Sequence, residues 1–245
     1  MSERLEDLGI LVGFLLTDGC VSGERFIVFH NKSEVMHELF REQVSKIFGT
    51  VHFTERRENN GTIRTQISNK TIVKKLMKIC NIKTFRRKQF KNGEFPPVKL
   101  PTFFKNLPRS SILKVLQVIF SADGSISLSV RWHKNNNNWE IRRRIELACK
   151  HPKLRNEFFK LIKGVGFSPR ISGENITLER KDDILKFAKE IRFVPGVKVG
   201  GDSKIWKGFE KNKVLDIAVK TLELKGRDLK IFSTKMEIIE FLKSL

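Results

Sequence analysis

The sequence is poor in residues that mark several classes of protein. It has no Tyr, three Trp, three Cys and five His in 245 residues. The cysteines, Cys20, Cys80 and Cys149, form no Cys-x-x-Cys pair, so neither a disulfide framework nor a zinc site is indicated. The histidines show no His-Glu-x-x-His spacing. With so few Trp and no Tyr, base stacking on single-stranded nucleic acid is not the expected binding mode.

Long apolar runs are also missing. No apolar stretch approaches the roughly 20 residues that a membrane span needs. The N-terminus lacks the basic lead and apolar core of a secretory signal. We therefore expect a protein of the cytoplasm or of an organelle interior, with reduced cysteines and no membrane partner.

Positive charge, by contrast, is abundant. The chain has 48 Lys and Arg against 27 Asp and Glu, which gives a net charge of +21. Its 40% hydrophobic content is that of a globular protein, and its length allows one large domain or two small ones. A monomer so unbalanced would repel itself without a polyanionic partner, and nucleic acid is the first candidate.

The chain contains an internal repeat. Residues 5–19 and 110–124 are both mostly apolar at helical spacing, and both end in Asp-Gly. Patterns for a hairpin, a helix, a second hairpin and a third helix follow in each case. The stretch 96–108, with several prolines, separates the repeats. We predict an α+β fold of two units, 1–105 and 106–245, the second ending in an extra helical tail.

Asp18 and Asp123 occupy matching positions in the repeat. A carboxylate at a helix C-terminus is disfavoured by ~0.3–1 kcal/mol, because partial negative charge collects there. Asp-Gly is also a common turn dipeptide, so two ordinary turn residues are the alternative interpretation. A divalent cation would explain the coincidence, since it binds carboxylates together with the open carbonyls at the helix ends, those of Thr17 and Ala122.

Oxygen-only ligands indicate Mg²⁺, with Mn²⁺ able to substitute for it. Carboxylate-held Mg²⁺ beside a polyanion is typical of phosphodiester hydrolysis. There the metal polarises the phosphate, activates the attacking water and stabilises the leaving oxygen.

Residues 11–19 (LVGFLLTDG) and 116–124 (LQVIFSADG) resemble the two motifs that name the LAGLIDADG homing endonucleases. The matching order of elements extends the resemblance over nearly the whole chain, up to the tail. It implies duplicated αββαββα units, with the motif helices packed at a pseudo-twofold axis and two antiparallel sheets forming a saddle. It also implies a monomeric, metal-dependent double-stranded DNA endonuclease. Its site would be pseudo-palindromic, loosely so, and about 20 bp long, or two helical turns.

The resemblance also assigns roles to individual residues. Asp18 and Asp123 would bind the metals beneath the scissile phosphates. Lys32 and Lys150 match the basic residues that follow a strand in the family's sites, and Arg86 and Lys198 match a later one. The chain departs from the family at the third motif position, which is usually small.

That motif position is held by Gly13 in the first unit and by Val118 in the second. Gly13 fits the family pattern and Val118 does not. We therefore expect the two motif helices to be more widely spaced, or less symmetric, than is usual.

The polar faces of the predicted strands would meet DNA in such a saddle. A β-ribbon fits the major groove, where Arg can fork onto guanine and Gln onto adenine. The predicted contacts are Arg56, Arg64, Gln66, Ser68, Ser127, Ser129, Arg131, His133, Arg142, Arg144 and Arg170.

Other interpretations stay open at this stage. The same strand faces could simply be solvated, or could position phosphates without reading bases. An RNA intron maturase or a non-catalytic DNA-binding protein on the same fold would keep the basic saddle. Neither would need both acids, so intron RNA remains a possible partner.

Overall fold

The computed structural model describes residues 2–134, 137–201 and 203–245, with Ser2, Gly226 and Arg227 described in their backbone alone. The first unit contains α1 (Ser2–Leu15), β1 (Gly19–Ser22), β2 (Phe26–Asn31), α2 (Glu34–Phe48), β3 (Thr54–Arg57), β4 (Ile63–Ser68) and α3 (Lys70–Cys80). The second contains α4 (Arg109–Asp123), β5 (Gly124–His133), β6 (Asn138–Ala148), α5 (Pro152–Gly164), β7 (Arg170–Ser172), β8 (Asn175–Leu178) and α6 (Lys181–Glu190). The tail contributes α7 (Lys211–Lys220) and α8 (Lys235–Ser244). The predicted α+β class and the duplicated element order are confirmed.

The two sheets share one topology. Each is four-stranded and antiparallel, with the strand orders β1-β2-β4-β3 and β5-β6-β8-β7. Buried and less buried residues alternate along the strands, as in β4, where Ile63, Thr65 and Ile67 are buried and Arg64 and Gln66 are partly exposed. This period of two gives each sheet one face for the helices and one polar face.

The first helices of the two units pack against each other across the centre of the molecule. A Cβ atom added to Gly9 would lie 3.1 Å from a methyl group of Val115, and one added to Gly13 would lie 3.5 Å from Val115 and Ile119. At this contact the small residues lie on α1 and the branched ones on α4. Val118, the larger residue at the third motif position of the second unit, is itself 2% exposed in the core.

The glycine of each Asp-Gly pair has a steric cause. A Cβ atom on Gly19 would lie 2.7 Å from the Cα atom of Leu15, and one on Gly124 would lie 2.5 Å from the carbonyl oxygen of Phe120. Neither distance is compatible with ordinary van der Waals contact. In both units, therefore, the chain turns back over its own helix so closely that the residue after the aspartate must be glycine.

The tail packs on the second unit. Helix α7 contacts α6 and β5, and α8 also contacts β5, which is an edge strand. The segment leading into α7 supports the same strand, since the indole Nε1 of Trp206 donates a hydrogen bond to the carbonyl of Leu128 (2.7 Å). None of the helices in the described ranges has the length and hydropathy needed to cross a bilayer.

Replacing Gly124 with Ala should destabilise the fold by about 1–3 kcal/mol, because the new methyl group would force the backbone at the start of β5 away from α4. Gly164→Ala is the matched control, since a Cβ atom there meets nothing within 4 Å. The control should lose no stability. Denaturant unfolding measures both, and a Gly124→Ala variant as stable as the wild type would contradict the close-return geometry.

Candidate active site

The two aspartates meet because the helices that lead to them are packed side by side. Asp18 follows the end of α1 and Asp123 is the last residue of α4. A cleft of about 780 Å³ opens at this end of the helix pair, lined by Asp18 and by the neighbours of Asp123 on both sides, Ala122 and Gly124. The carboxylates of the two repeats therefore share one site.

This pairing is electrostatically unfavourable. Burial raises the pKa of Asp18 to about 6, and the negative charge of Asp123 adds to the effect. Burial raises the pKa of Asp123 as well, against the opposing influence of nearby cations. The Asp123 side chain is only 17% exposed. A cation between the carboxylates would relieve both the desolvation and the mutual repulsion.

Asp18 is held by an amide from the end of β2. The Nδ2 group of Asn31 donates a hydrogen bond to Oδ2 of Asp18 (2.6 Å). Asn31 is fixed in turn, because its Oδ1 accepts from the backbone N–H of Ser33 (2.7 Å) and its carbonyl lies 3.1 Å from Nε2 of His37. The orientation of the Asp18 carboxylate is thus set by a chain of bonds within the first unit.

Asp123 is held by a residue of the other unit. The Nη1 group of Arg87 donates to Oδ2 of Asp123 at 2.5 Å. Arg87 lies in the irregular stretch after α3, and its side chain is 26% exposed. The first unit therefore supplies the counter-charge for the carboxylate of the second.

The tail supplies a third partner, Lys211, at the first position of α7. This side chain is only 7% exposed, and its Nζ donates to the carbonyls of Ser121 (2.8 Å) and Gly124 (2.6 Å), on either side of Asp123. Burial lowers the pKa of Lys211 to about 8, although both aspartates act in the opposite direction. Its ammonium satisfies carbonyls at the negative end of α4 and adds positive charge beside the carboxylates.

The donor set fits a hard divalent cation. The hydrogen bonds from Asn31 and Arg87 engage Oδ2 of each aspartate, and within the described residues Oδ1 of each accepts none. Within the described chain no group of three or more His, Cys, Asp and Glu side chains is placed to hold a metal ion. Mg²⁺ commonly binds through one or two carboxylates and completes its shell with substrate phosphates and water.

The structure brings some of the predicted site residues together. Lys32, Ala122 and Lys198 all line the cleft beside Asp18. Thr17 lies next to them in sequence, but its side chain is fully buried and its hydroxyl donates to the carbonyl of Gly13 (2.8 Å).

Lys150 is not brought to the carboxylates. Its side chain is 82% exposed, its ammonium lies 4.0 Å from Oε2 of Glu174, and it is absent from the described lining of the cleft. A local hydrogen bond accounts for this position of Lys150. The backbone N–H of Cys149 donates to the carbonyl of Glu174 and thereby attaches residues 149 and 150 to the β7–β8 turn. Of the two lysines that match across the repeat, Lys32 and Lys150, Lys32 alone is among the described residues that line the cleft.

Sequence reasoning missed the three residues that contact the carboxylate region most directly. Arg86 is exposed, with its guanidinium 4.8 Å from the ring centre of Phe90, and it is the next residue, Arg87, that reaches Asp123. Asn31 likewise immediately precedes the predicted Lys32. The residue that contacts Asp123 is thus one position after Arg86, and the residue that contacts Asp18 is one position before Lys32. Lys211 gave no signal in the repeat, since it comes from the tail.

The predicted DNA contacts fall on one face of each sheet. In the second sheet Ser127 lies opposite Arg144, and Ser129 opposite Arg142. In the first sheet Arg64 lies opposite Arg56. The remaining residues occupy the same faces by their register, namely Gln66, Ser68, Arg131, His133 and Arg170. These faces point away from the helices, since the intervening residues are the buried ones.

Not every arginine on these faces is free. Arg144 is bound by two carboxylates, those of Glu146 (2.9 Å) and Glu179 (2.5 Å). Arg142 is 48% exposed in its side chain and is 3.6 Å from Glu140. The two neighbouring arginines therefore differ in how readily they could contact a ligand.

No family model and no curated protein matches the sequence. Solved structures do match: the LAGLIDADG meganuclease I-AabMI bound to uncleaved DNA aligns with a TM-score of 0.61 at 11% identity, over 97% of this chain and 98% of that one. The chain has the LAGLIDADG fold. The meganuclease I-SmaMI bound to uncleavable DNA is also similar, with a TM-score of 0.52 at 12% identity and 97% coverage of both chains.

A third LAGLIDADG structure, I-DmoI in complex with DNA and Mn, aligns with a TM-score of 0.50 at 12% identity, over 77% of this chain and 97% of that one. At such identities the similarity establishes the fold, and the chemistry must be argued from the residues of the site. The resemblance seen in the two sequence motifs is confirmed at the level of the LAGLIDADG fold.

Replacing Lys211 with Met should lower the stability of the metal-free protein by about 1–3 kcal/mol, because two buried carbonyls lose their donor. Part of this loss should depend on Asp123, whose charge the ammonium offsets. Thermal melting in EDTA of Lys211→Met, Asp123→Asn and the double variant measures that dependence. The Lys211→Met effect should be smaller in the Asn background, and an effect equal in both backgrounds would show that Lys211 serves the carbonyls alone.

Proposed function

We propose that this LAGLIDADG-fold protein is a site-specific endonuclease that hydrolyses phosphodiester bonds of double-stranded DNA with a divalent metal. The observation that carries the proposal is the meeting of Asp18 and Asp123, one from each repeat, in a single cleft lined by Lys32 and Lys198. Helix packing would bring any two residues at these positions together, but it does not explain why both are carboxylates whose pKa values burial raises.

Several features support duplex DNA as the substrate. The net charge of +21 suits a polyanion. Each sheet presents a polar face of a shape that fits a major groove, and two such faces side by side would span about 20 bp. I-AabMI, I-SmaMI and I-DmoI, which share the fold, were all solved with DNA.

Asp18 and Asp123 would hold Mg²⁺, or Mn²⁺ in its place, through the Oδ1 atoms that the described hydrogen bonds leave unused. The structure of I-DmoI with DNA and Mn is consistent with such use in this fold. When bound, the metal supplies a Lewis acid for the phosphate and lowers the pKa of the attacking water.

The surrounding side chains prepare the site. Asn31 fixes the orientation of Asp18, and Lys211 fixes the backbone on both sides of Asp123. Lys32 and Lys198 give the cleft the positive charge that stabilises a phosphate as negative charge develops on it. Because both carboxylates belong to one chain, we propose that the protein acts as a monomer.

Replacing Asp18 or Asp123 with Asn should reduce double-strand cleavage roughly a hundredfold or more, since several kcal/mol of metal-dependent stabilisation is lost. Asn preserves size, so duplex binding in Ca²⁺ should persist. Asp182→Asn, an exposed change of equal charge on α6, is the control and should cut normally. The assay incubates each protein with a randomised duplex library in Mg²⁺ or EDTA and sequences the cut ends.

Two results would contradict the proposal. One is double-strand cleavage at the wild-type rate by either Asn variant at the site. The other is wild-type cleavage that persists in EDTA.

A further inference from the structure

The two polar faces of the saddle differ in length. Strands β5 and β6 contain 10 and 11 residues, whereas β1 and β2, their counterparts, contain 4 and 6. At ~3.3 Å per residue the second-unit hairpin extends roughly 33 Å, against roughly 20 Å for the longer strand of the first. The surface that the second unit presents is thus considerably longer.

The faces also differ in chemistry. The outer side of the β1–β2 hairpin carries Cys20, Ser22, Phe26, Val28 and His30, of which Val28 is 2% exposed. Among these side chains Ser22 and His30 offer strong hydrogen-bonding groups. The first unit therefore relies mainly on β3 and β4, with Arg56, Arg64 and Gln66 among the predicted contacts.

The β5–β6 hairpin is polar along its whole outer face. Three serines on β5 lie opposite charged residues on β6, and towards the outer end Arg131 lies opposite Glu140. The face comprises Ser125, Ser127, Ser129, Arg131 and His133 on β5, with Asn138, Glu140, Arg142, Arg144 and Glu146 on β6. Every position offers a donor or an acceptor.

A contact with the tail, through Thr221, supports the outer half of this hairpin. Strand β8 pairs only with residues 145–148 of β6. Arg143 lies in the outer part of β6, and its side chain points to the opposite face from those of Arg142 and Arg144. Its Nε donates to Oγ1 of Thr221 (2.8 Å), and its Nη2 donates to the Thr221 carbonyl. Trp132 and Trp139 pack edge to face at 5.0 Å near the end of the hairpin. The tail thus contacts the part of the hairpin that β8 does not pair with.

Within this face the arginines divide into two kinds. Arg144 is engaged by Glu146 and Glu179, so its guanidinium is not free to fork onto a base. Arg142 is about half exposed, and its Nε lies 3.6 Å from a single carboxylate, that of Glu140. Arg131 is exposed as well. Arg131 and Arg142 both lie in the outer half of the hairpin, near the contact of Arg143 with Thr221.

We propose that the β5–β6 hairpin is an extended recognition arm in which Arg131 and Arg142 determine base specificity at the outer end of one half-site. The inference rests on the proposed function. With ~3.4 Å per base pair, recognition would extend about ten base pairs on the side of the second unit and about six on the other, or roughly 16 of the ~20 bp that the two sheets would span. The preferred duplex then has more recognised base pairs on one side of its centre than on the other, and the tail supports the longer arm.

Selection from a randomised duplex library in Ca²⁺ tests this, with the wild type, Arg142→Ala, Arg142→Gln and Arg57→Ala compared. Arg57 is an equally charged control: its side chain is 62% exposed and it bonds to Glu34 on the helix face of the first sheet. The wild type should show base preference further from the centre on one side. Arg142→Ala should lose roughly tenfold or more of the discrimination at one outer position of that longer side, and Arg142→Gln should shift the preference there towards adenine. Arg57→Ala should leave the profile unchanged.

A wild-type profile of equal extent on both sides would overturn the inference and leave the proposed function standing. So would a loss of affinity in Arg142→Ala that is uniform over all sequences, since that is the mark of a phosphate contact. A wild type that selects no duplex at all would overturn the proposed function and, with it, this inference.

Discussion

The packing of α1 against α4 is the constraint on which the rest of the structure depends. Gly9 and Gly13 let α1 approach the branched side chains of α4, and the two helices bring their C-terminal ends to one place. At those ends the chain must turn back over itself, which only Gly19 and Gly124 allow. The position of the two aspartates is therefore a consequence of helix packing, and the sheets that start there are set on either side of the site.

This geometry places two carboxylates, those of Asp18 and Asp123, close together and partly out of water. They repel each other and lose solvation, and three distant parts of the chain offset that cost. Asn31 from a strand end, Arg87 from the segment between the units and Lys211 from the tail each offset part of that penalty. The same tail supports the outer half of the β5–β6 hairpin through Thr221. One segment, the tail, thus contacts both the cleft and the longer polar face of the second sheet.

The order of elements and the polar strand faces could be predicted because periods of 3.6 and 2 are local properties of a sequence. The aspartates could be predicted because they occupy matching positions in the two repeats. The cationic side chains beside them could not be placed in this way. Arg87 and Arg86 differ by one position in a stretch without regular structure, so no periodicity decides which one turns inwards. Lys211 has no counterpart in the first unit. The ion pair of Arg144 with Glu179 depends on how β6 aligns with β8, which the sequence pattern does not give.

In the proposed function, Asp18 and Asp123 hold a divalent metal in common at the site of DNA cleavage. The most direct test is anomalous diffraction at the manganese edge, on crystals of the protein with a selected duplex and Mn²⁺. We expect peaks at about 2.1 Å from a carboxylate oxygen of each aspartate, the distance of a small octahedral cation from its ligands. Manganese bound elsewhere, with both carboxylates still held only by Asn31 and Arg87, would be incompatible with a shared metal site.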